Sequence, residues 1–207
     1  YNNFVAGISY EIFEPSKIFN KYEISLTARH RRLYSPDIQT GNNLSLDSFF
    51  FTANRFAFGV DADLNSERKD YFEPRIDGRY FIYAPNFRVT SWISTDFRKK
   101  FAFDLSLGFR NYIDDEQHNY KIRLTPRFRV SNHLLLIWET ELFVSNNNRG
   151  YIDDNGVDIY FGQRAITNLE NSLQASYNFD PYKAIDLRFR NYWGTADYSD
   201  DLFFLLN

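Results

Sequence analysis

Apolar and polar side chains alternate with a period of two along nearly the whole chain. Phe4, Ala6, Ile8, Tyr10 and Ile12 take every second position of the first such stretch. Tyr22, Ile24, Leu26 and Ala28 do so in the second, opposite Lys21, Glu23, Ser25, Thr27 and Arg29. Successive side chains of a β-strand point to opposite faces, so each stretch predicts a strand with one apolar and one polar face. The pattern recurs over 44–50, 56–64, 87–97, 101–109, 120–130, 134–142, 169–179 and 185–193. Ten strands are predicted, each near the ~9–11 residues that cross a bilayer at a tilt. Helical periodicity is hard to find.

The connections carry a second signal. Those at 53–55, 98–100, 131–133 and 180–183 are short, with 14–20 somewhat longer. Those at 35–43, 65–79, 113–119, 145–166 and 194–201 are long and polar. Short and long alternate, which in an up-and-down antiparallel sheet puts all long connections at one end. Outer-membrane barrels have this layout, and soluble sandwiches have no reason for it. Hairpin register agrees. Val130 meeting Leu134 sets Arg123 against Glu141, and Phe97 meeting Phe101 sets Ile93 against Leu105, so like faces coincide.

A membrane barrel turns its apolar face to lipid and its polar face inward. The polar positions here mix Ala57, Gly59, Ser106 and Gly108 with complementary charges, as a crowded wet interior does. Phe97, Phe101, Phe128 and Phe179 collect near the short turns, where aromatic girdles sit. His30, Ser48, Thr52, Ser91, Asn171 and Asn191 fit the lipid face imperfectly. Pro126 is unexpected in mid-strand and predicts a bulge. A soluble, lipocalin-like barrel, with the same faces turned the other way, is the alternative.

Composition removes whole classes of function. There is no Cys among 207 residues, so there is no disulfide, thiolate metal site or Cys nucleophile. Aromatics at 19% exclude a disordered segment. The mean hydropathy of −0.50 is uninformative, because alternating faces cancel in an average. A net charge of −3 gives no drive toward nucleic acid. Tyr1 and the closing LFFLLN both look like strand, which predicts a single barrel domain over 1–207, incomplete at both ends.

Candidate chemistry is sparse. His30, His118 and His133 lack ligand spacing, and no hydrolase or nucleotide-binding motif occurs. No catalytic residue and no cofactor is predicted. Asp153, Asp154 and Asp158 in YIDDNGVD are hard-cation ligands in type, but Asx-rich turns with Gly are common without metal. Asp153 and Asp154 would also serve a further alternative, a barrel-borne surface hydrolase with acids in its loops. In DYFEPRIDGRYF, Tyr71, Glu73, Pro74, Arg75, Gly78 and Arg79 predict a pinned loop: Pro74 extends Glu73, Gly78 permits a turn, and the charges supply contacts. The inward charges are the best functional candidates: Arg29, Arg110, Lys121, Arg123, Arg127, Arg129, Arg188 and Arg190, facing the same side as Glu139, Glu141 and Glu170. They would tune permeation through a pore or fill the core of a closed barrel.

The stretches YFEPRIDGRYF, WISTDFRKKFAFDL, GYIDDNG and NLENSLQASYNF resemble the C-terminal barrel of an uncharacterised family of Bacteroidetes-type surface proteins. Full-length members carry an N-terminal domain similar to family 9 carbohydrate-binding modules. The resemblance implies a bacterial outer-membrane location, contact with outer-membrane lipid, and a glycan partner held by that other domain. The expected role is to anchor, or form a pore for, a surface glycan-binding protein.

Overall fold

A computed structural model describes residues 2–205. It is all-β and antiparallel. The strands are β1 (Asn2–Ile12), β2 (Phe19–Arg32), β3 (Gln39–Thr52), β4 (Ala57–Asn65), β5 (Arg68–Asp70), β6 (Phe81–Tyr83), β7 (Asn86–Ser94), β8 (Phe101–Tyr112), β9 (His118–Arg129), β10 (Leu134–Asp154), β11 (Ile159–Asp180) and β12 (Lys183–Phe204). Ten of them form one sheet in the order β1-β2-β3-β4-β7-β8-β9-β10-β11-β12, while β5 and β6 form a separate ribbon inside the β4–β7 connection. Among the described residues β1 pairs only with β2 and β12 only with β11, so both edges stay open. Tyr1, Leu206 and Asn207, expected to continue the end strands, lie outside the described residues.

The expected registers are present. Arg123 lies opposite Glu141, Ile93 opposite Leu105 and Ser94 opposite Asp104. One row crosses eight strands of the apolar face: Ile8, Leu26, Leu46, Ala62, Val89, Phe109, Tyr120 and Val144. Because side-chain period is two, this row keeps every neighbouring position on its face as well. No described element covers that face. Ile8 is 74% exposed, Leu187 66% and Trp138 46%. Buried positions are instead largely polar, among them Ser45, Asn86, Thr125, Ser145 and Ser172. Residues from β2, β3, β4 and β7 to β11 line a single cavity on the polar side, so the sheet curls with its polar face concave.

Four of the misfit polar groups on the apolar face are satisfied locally. His30 Nδ1 pairs with Asn42 Oδ1 at 2.7 Å, and Trp138 Nε1 donates to Asn171 Oδ1 at 3.3 Å. Ser48 Oγ donates to Val60 O and accepts from Val60 N, and Thr52 Oγ1 does the same with Phe56. Each polar group then meets an apolar surrounding with its hydrogen bond already made.

Several expectations need correction. Residues 145–166 are not a long loop: β10 and β11 continue through them to a turn at 155–158, and 194–201 belongs to β12. The stretch SNNNRGYIDD is polar on both faces, so no alternation marks it, and main-chain pairing alone makes it a strand. The connections 33–38, 113–117 and 155–158 are no longer than those at the other end; only 66–85 is. The ribbon β5–β6 inside it was not foreseen. Pro126 makes no bulge, because the β8–β9 register runs unbroken through Phe103 opposite Pro126. The β9–β10 ladder instead skips Thr125 and Pro126 and resumes in the same register. The donor that proline lacks is lost on the β10 side, and the strand bridges the gap. Phe101, Phe128 and Phe179 stand exposed as an aromatic band, but Phe97 lies in the 95–100 turn with the Arg127 guanidinium 4.4 Å from its ring.

The 95–100 turn is held by Asp96. Its carboxylate accepts from the Arg98 backbone N at 3.1 Å, from Arg98 Nε at 2.9 Å and from Nη2 at 2.7 Å. Those Arg98 hydrogen bonds hold the Asp96 carboxyl well below its ordinary value of 3.8. A depressed carboxyl stabilises the fold above the unfolded value, and that stabilisation disappears as pH falls through the folded one. Asp96→Asn is therefore expected to lower the urea midpoint at neutral pH. The gap to wild type should narrow only once pH drops below about 4. A gap that is constant from pH 7 to pH 3 contradicts this assignment.

Candidate functional site

The polar face is built in rows. One runs Thr27, Ser45, Asp63, Arg88, Arg110, Asn119 and Ser145 across β2, β3, β4 and β7 to β10. Ser45 Oγ donates to Asp63 Oδ1 at 2.7 Å, Arg88 Nε to Asp63 Oδ2 at 2.7 Å and Ser145 Oγ to Asn119 Oδ1 at 2.7 Å. The row beside it runs Arg29, Asn43, Asn65, Asn86 and Tyr112. Here the asparagines form a ladder: Asn43 Nδ2 donates to Asn65 Oδ1 and Asn65 Nδ2 to Asn86 Oδ1, both at 3.1 Å. Arg29 Nη1 donates to Asn43 Oδ1 at 3.1 Å and to Ser45 Oγ at 3.2 Å. An amide offers donor and acceptor together, so such a ladder can propagate across strands without charge.

These two rows floor a cavity of about 550 Å³, within the usual range of small-molecule sites. Arg68 and Tyr83 of the ribbon contribute to its wall. The ribbon lies against β3 at Gly41, where a Cβ would just touch Glu67 O at 3.4 Å and Arg68 Cγ at 3.5 Å. Arg68 packs 4.5 Å from the Tyr83 ring and pairs with Asp70 at 3.3 Å. Burial pushes the Tyr83 phenol up to about 12, so it stays a neutral donor.

The pinned-loop residues converge on the β10–β11 hairpin. Glu73 Oε1 accepts from Tyr151 N at 3.3 Å, the Arg75 guanidinium lies 4.4 Å from the Tyr151 ring, and Pro74 is fully buried. Arg79 donates to Val157 O at 3.3 Å and to Leu205 O at 2.8 Å. Phe81 stacks on the buried Phe161 at 4.6 Å. Tyr71 packs on Tyr80, and Gly78 takes φ +79°. Arg79→Ala removes two charge-assisted bonds to main-chain carbonyls, each of ~1.5–3 kcal/mol. Limited proteolysis within 66–85 is expected to speed up at least tenfold, with cleavage elsewhere unchanged. Equal rates in mutant and wild type would show that Arg79 does not hold the loop.

Other charges pair lower in the sheet. Glu141 takes both Lys121, at 2.8 Å, and Arg123, whose Nε donates at 2.6 Å. Arg127 meets Asp104 at 3.0 Å, and Arg190 meets Glu170 at 2.6 Å. Arg188 donates to Ser172 Oγ at 3.0 Å. Glu139 faces Ser172 across the strand pair, and Arg129 sits exposed at the end of β9; neither has an ion-pair partner among the described residues. Arg29 and Arg110 are drawn into the cavity, together with Arg31.

Asp153, Asp154 and Asp158 are occupied by their own turn. Asp154 Oδ1 accepts from Gly156 N at 3.0 Å, its Oδ2 accepts from Tyr151 Oη at 2.7 Å, and Asp158 Oδ2 accepts from Asn155 Nδ2 at 3.3 Å. Among the described residues no group of three His or acidic side chains is placed to hold a metal ion.

Sequence reasoning missed Arg68 and Arg88 as partners in the cavity, and it missed an aromatic pair on the polar side. Phe49 and Trp92 meet there at 5.8 Å, with Trp92 over Gly59. Parity alone could have found them, since Phe49 and Trp92 fall between the apolar positions of their strands.

No curated protein and no solved structure matches the chain. A family model for a domain of unknown function, DUF5916, matches residues 1–207, the whole chain. The chain belongs to the DUF5916 family.

Proposed function

We propose that this chain forms the wall of a bacterial outer-membrane β-barrel that anchors, or provides a pore for, a cell-surface glycan-binding protein. The carrying observation is the inversion of the two faces. The convex face is apolar from β1 to β12 and uncovered, while the concave face holds the asparagine ladder and the ion pairs of Asp63, Glu141 and Glu170. Soluble monomers rarely expose contiguous apolar patches beyond a few hundred Å². Lipid is the covering that suits a curved sheet whose apolar face spans ten strands. The surface location and the glycan link are supported by the resemblance of YFEPRIDGRYF and WISTDFRKKFAFDL to barrels of surface proteins. Refolding tests the reading. Native β-structure and flotation with phosphatidylcholine vesicles are expected only when micelles or vesicles are supplied. A chain that folds as a monomer in plain buffer and leaves vesicles unbound ends it.

A further inference from the structure

The cavity beneath the ribbon has a lopsided charge. Five arginines line it, Arg29, Arg31, Arg68, Arg88 and Arg110, against one carboxylate, Asp63. Asp63 is committed to Arg88 at 2.6 Å, and Arg68 has Asp70. Among the described residues Arg29, Arg31 and Arg110 have no ion-pair partner; Arg29 is held only by the neutral Asn43 and Ser45. Arg88 and Arg110 stand directly opposite one another on β7 and β8. Like charges placed so are destabilising, and a partly enclosed cavity screens them less than open water does. The lower half of the same face shows the other solution, where Lys121 and Arg123 share Glu141 and Arg127 takes Asp104. Outside the cavity Arg129 and Arg188 also lack an ion-pair partner among the described residues, but they stand apart on β9 and β12.

We infer that this cavity binds a small oxyanion-bearing solute, a carboxylate or a phosphate, through Arg110, Arg31 and Arg29, with the asparagine ladder beside it receiving hydroxyl groups. A guanidinium fork matches carboxylate and phosphate oxygens in pairs. The cavity is large enough for a solute of one or a few sugar rings. The half-buried Tyr83 phenol adds a donor that stays protonated at neutral pH. As the substrate class of the barrel, this rests on the reading above; the site itself rests on the cavity.

The test is calorimetric titration of the full chain in zwitterionic micelles at low salt. The probes are inorganic phosphate, galacturonate and the neutral galactose. Phosphate and galacturonate are expected to bind with salt-sensitive affinity, and galactose at least tenfold more weakly. R110Q and R31Q should each weaken both anions about tenfold, one charge-assisted contact apiece. K183Q, at the far end of β12, changes net charge equally and should leave binding unaltered. D63N removes the cavity's carboxylate and frees Arg88, so it should bind the anions more tightly. Binding of phosphate alone identifies a phosphate site, and binding of galacturonate alone a carboxylate site. Equal binding of galactose and galacturonate overturns the inference, as does equal loss in K183Q and R110Q. Micelles need no bilayer insertion, so the two readings fail separately. A chain that inserts and binds no anion refutes only the site, and one that binds anions and never inserts refutes only the barrel.

Discussion

Leu136→Arg is expected to impair insertion into lipid vesicles, whereas Arg123→Leu leaves it intact. Leu136 sits on β10 between Phe128 of β9 and Ala175 of β11, on the uncovered apolar face, and is 40% exposed. An arginine there meets the edge of the hydrocarbon beside the Phe128 band, at a cost below the roughly 2–4 kcal/mol of mid-depth. Arg123 is a few residues away on β9 and points to the other side, where its guanidinium meets Glu141. Its loss leaves Glu141 paired with Lys121 at 2.8 Å, so no uncompensated charge is created. A soluble barrel with the polar face outward predicts that neither variant floats, since Leu136 would then be core. Vesicle flotation of the two variants separates these outcomes. If both float equally, or neither does, the assignment of faces is wrong.

Gly59→Ala is expected to destabilise the sheet by about 3 kcal/mol, while Gly108→Ala stays within roughly 0.5 kcal/mol of wild type. Both glycines lie in the sheet with polar-face parity, so composition and propensity treat them alike. The difference is what a methyl group would meet. At Gly59 it would overlap the Ser48 carbonyl oxygen and lie 2.8 Å from two ring carbons of Trp92. The obstacle is partly main chain, which cannot rotate away. The β3–β4 ladder is already interrupted there, with Ser48 Oγ standing in for the missing main-chain bonds to Val60. At Gly108 the nearest atom is Lys121 Cβ at 3.4 Å, an ordinary contact. Urea titration in micelles reads both. Equal midpoints would mean that the approach of β3 and Trp92 to Gly59 is not a packing constraint.

Strand existence, pairing and register were legible wherever one face was apolar. The pairs Arg123–Glu141 and Ile93–Leu105 follow from parity alone, because a slip of one residue would turn every side chain over. Legibility failed above that zone. From Ser145 to Asp154 both faces are polar, so the strand leaves no periodic trace, and the β5–β6 ribbon is too short to leave one. The charged face was legible as a list of residues and, across tight hairpins, as pairs such as Arg123 and Glu141. Nothing local tells that Arg88 finds Asp63 beyond the ribbon. That depends on which strands become neighbours and at what level, which only the assembled rows reveal. Pro126 was misjudged because a bulge is not the only remedy for a missing donor: a strand anchored along β8 can bridge two unmade pairs.

The open edges have a consequence for the order of assembly. All nine ladders of the large sheet join strands that are adjacent in sequence or separated only by the ribbon. Each can close as a local hairpin, with little loop entropy to overcome. Joining β1 to β12 is different in kind, since it brings together opposite ends of the chain. With ten strands the two edges run antiparallel. A seam between them would close last, after every local hairpin has formed. The wall can therefore zip up strand by strand, with its interior ladders complete before either edge finds a partner.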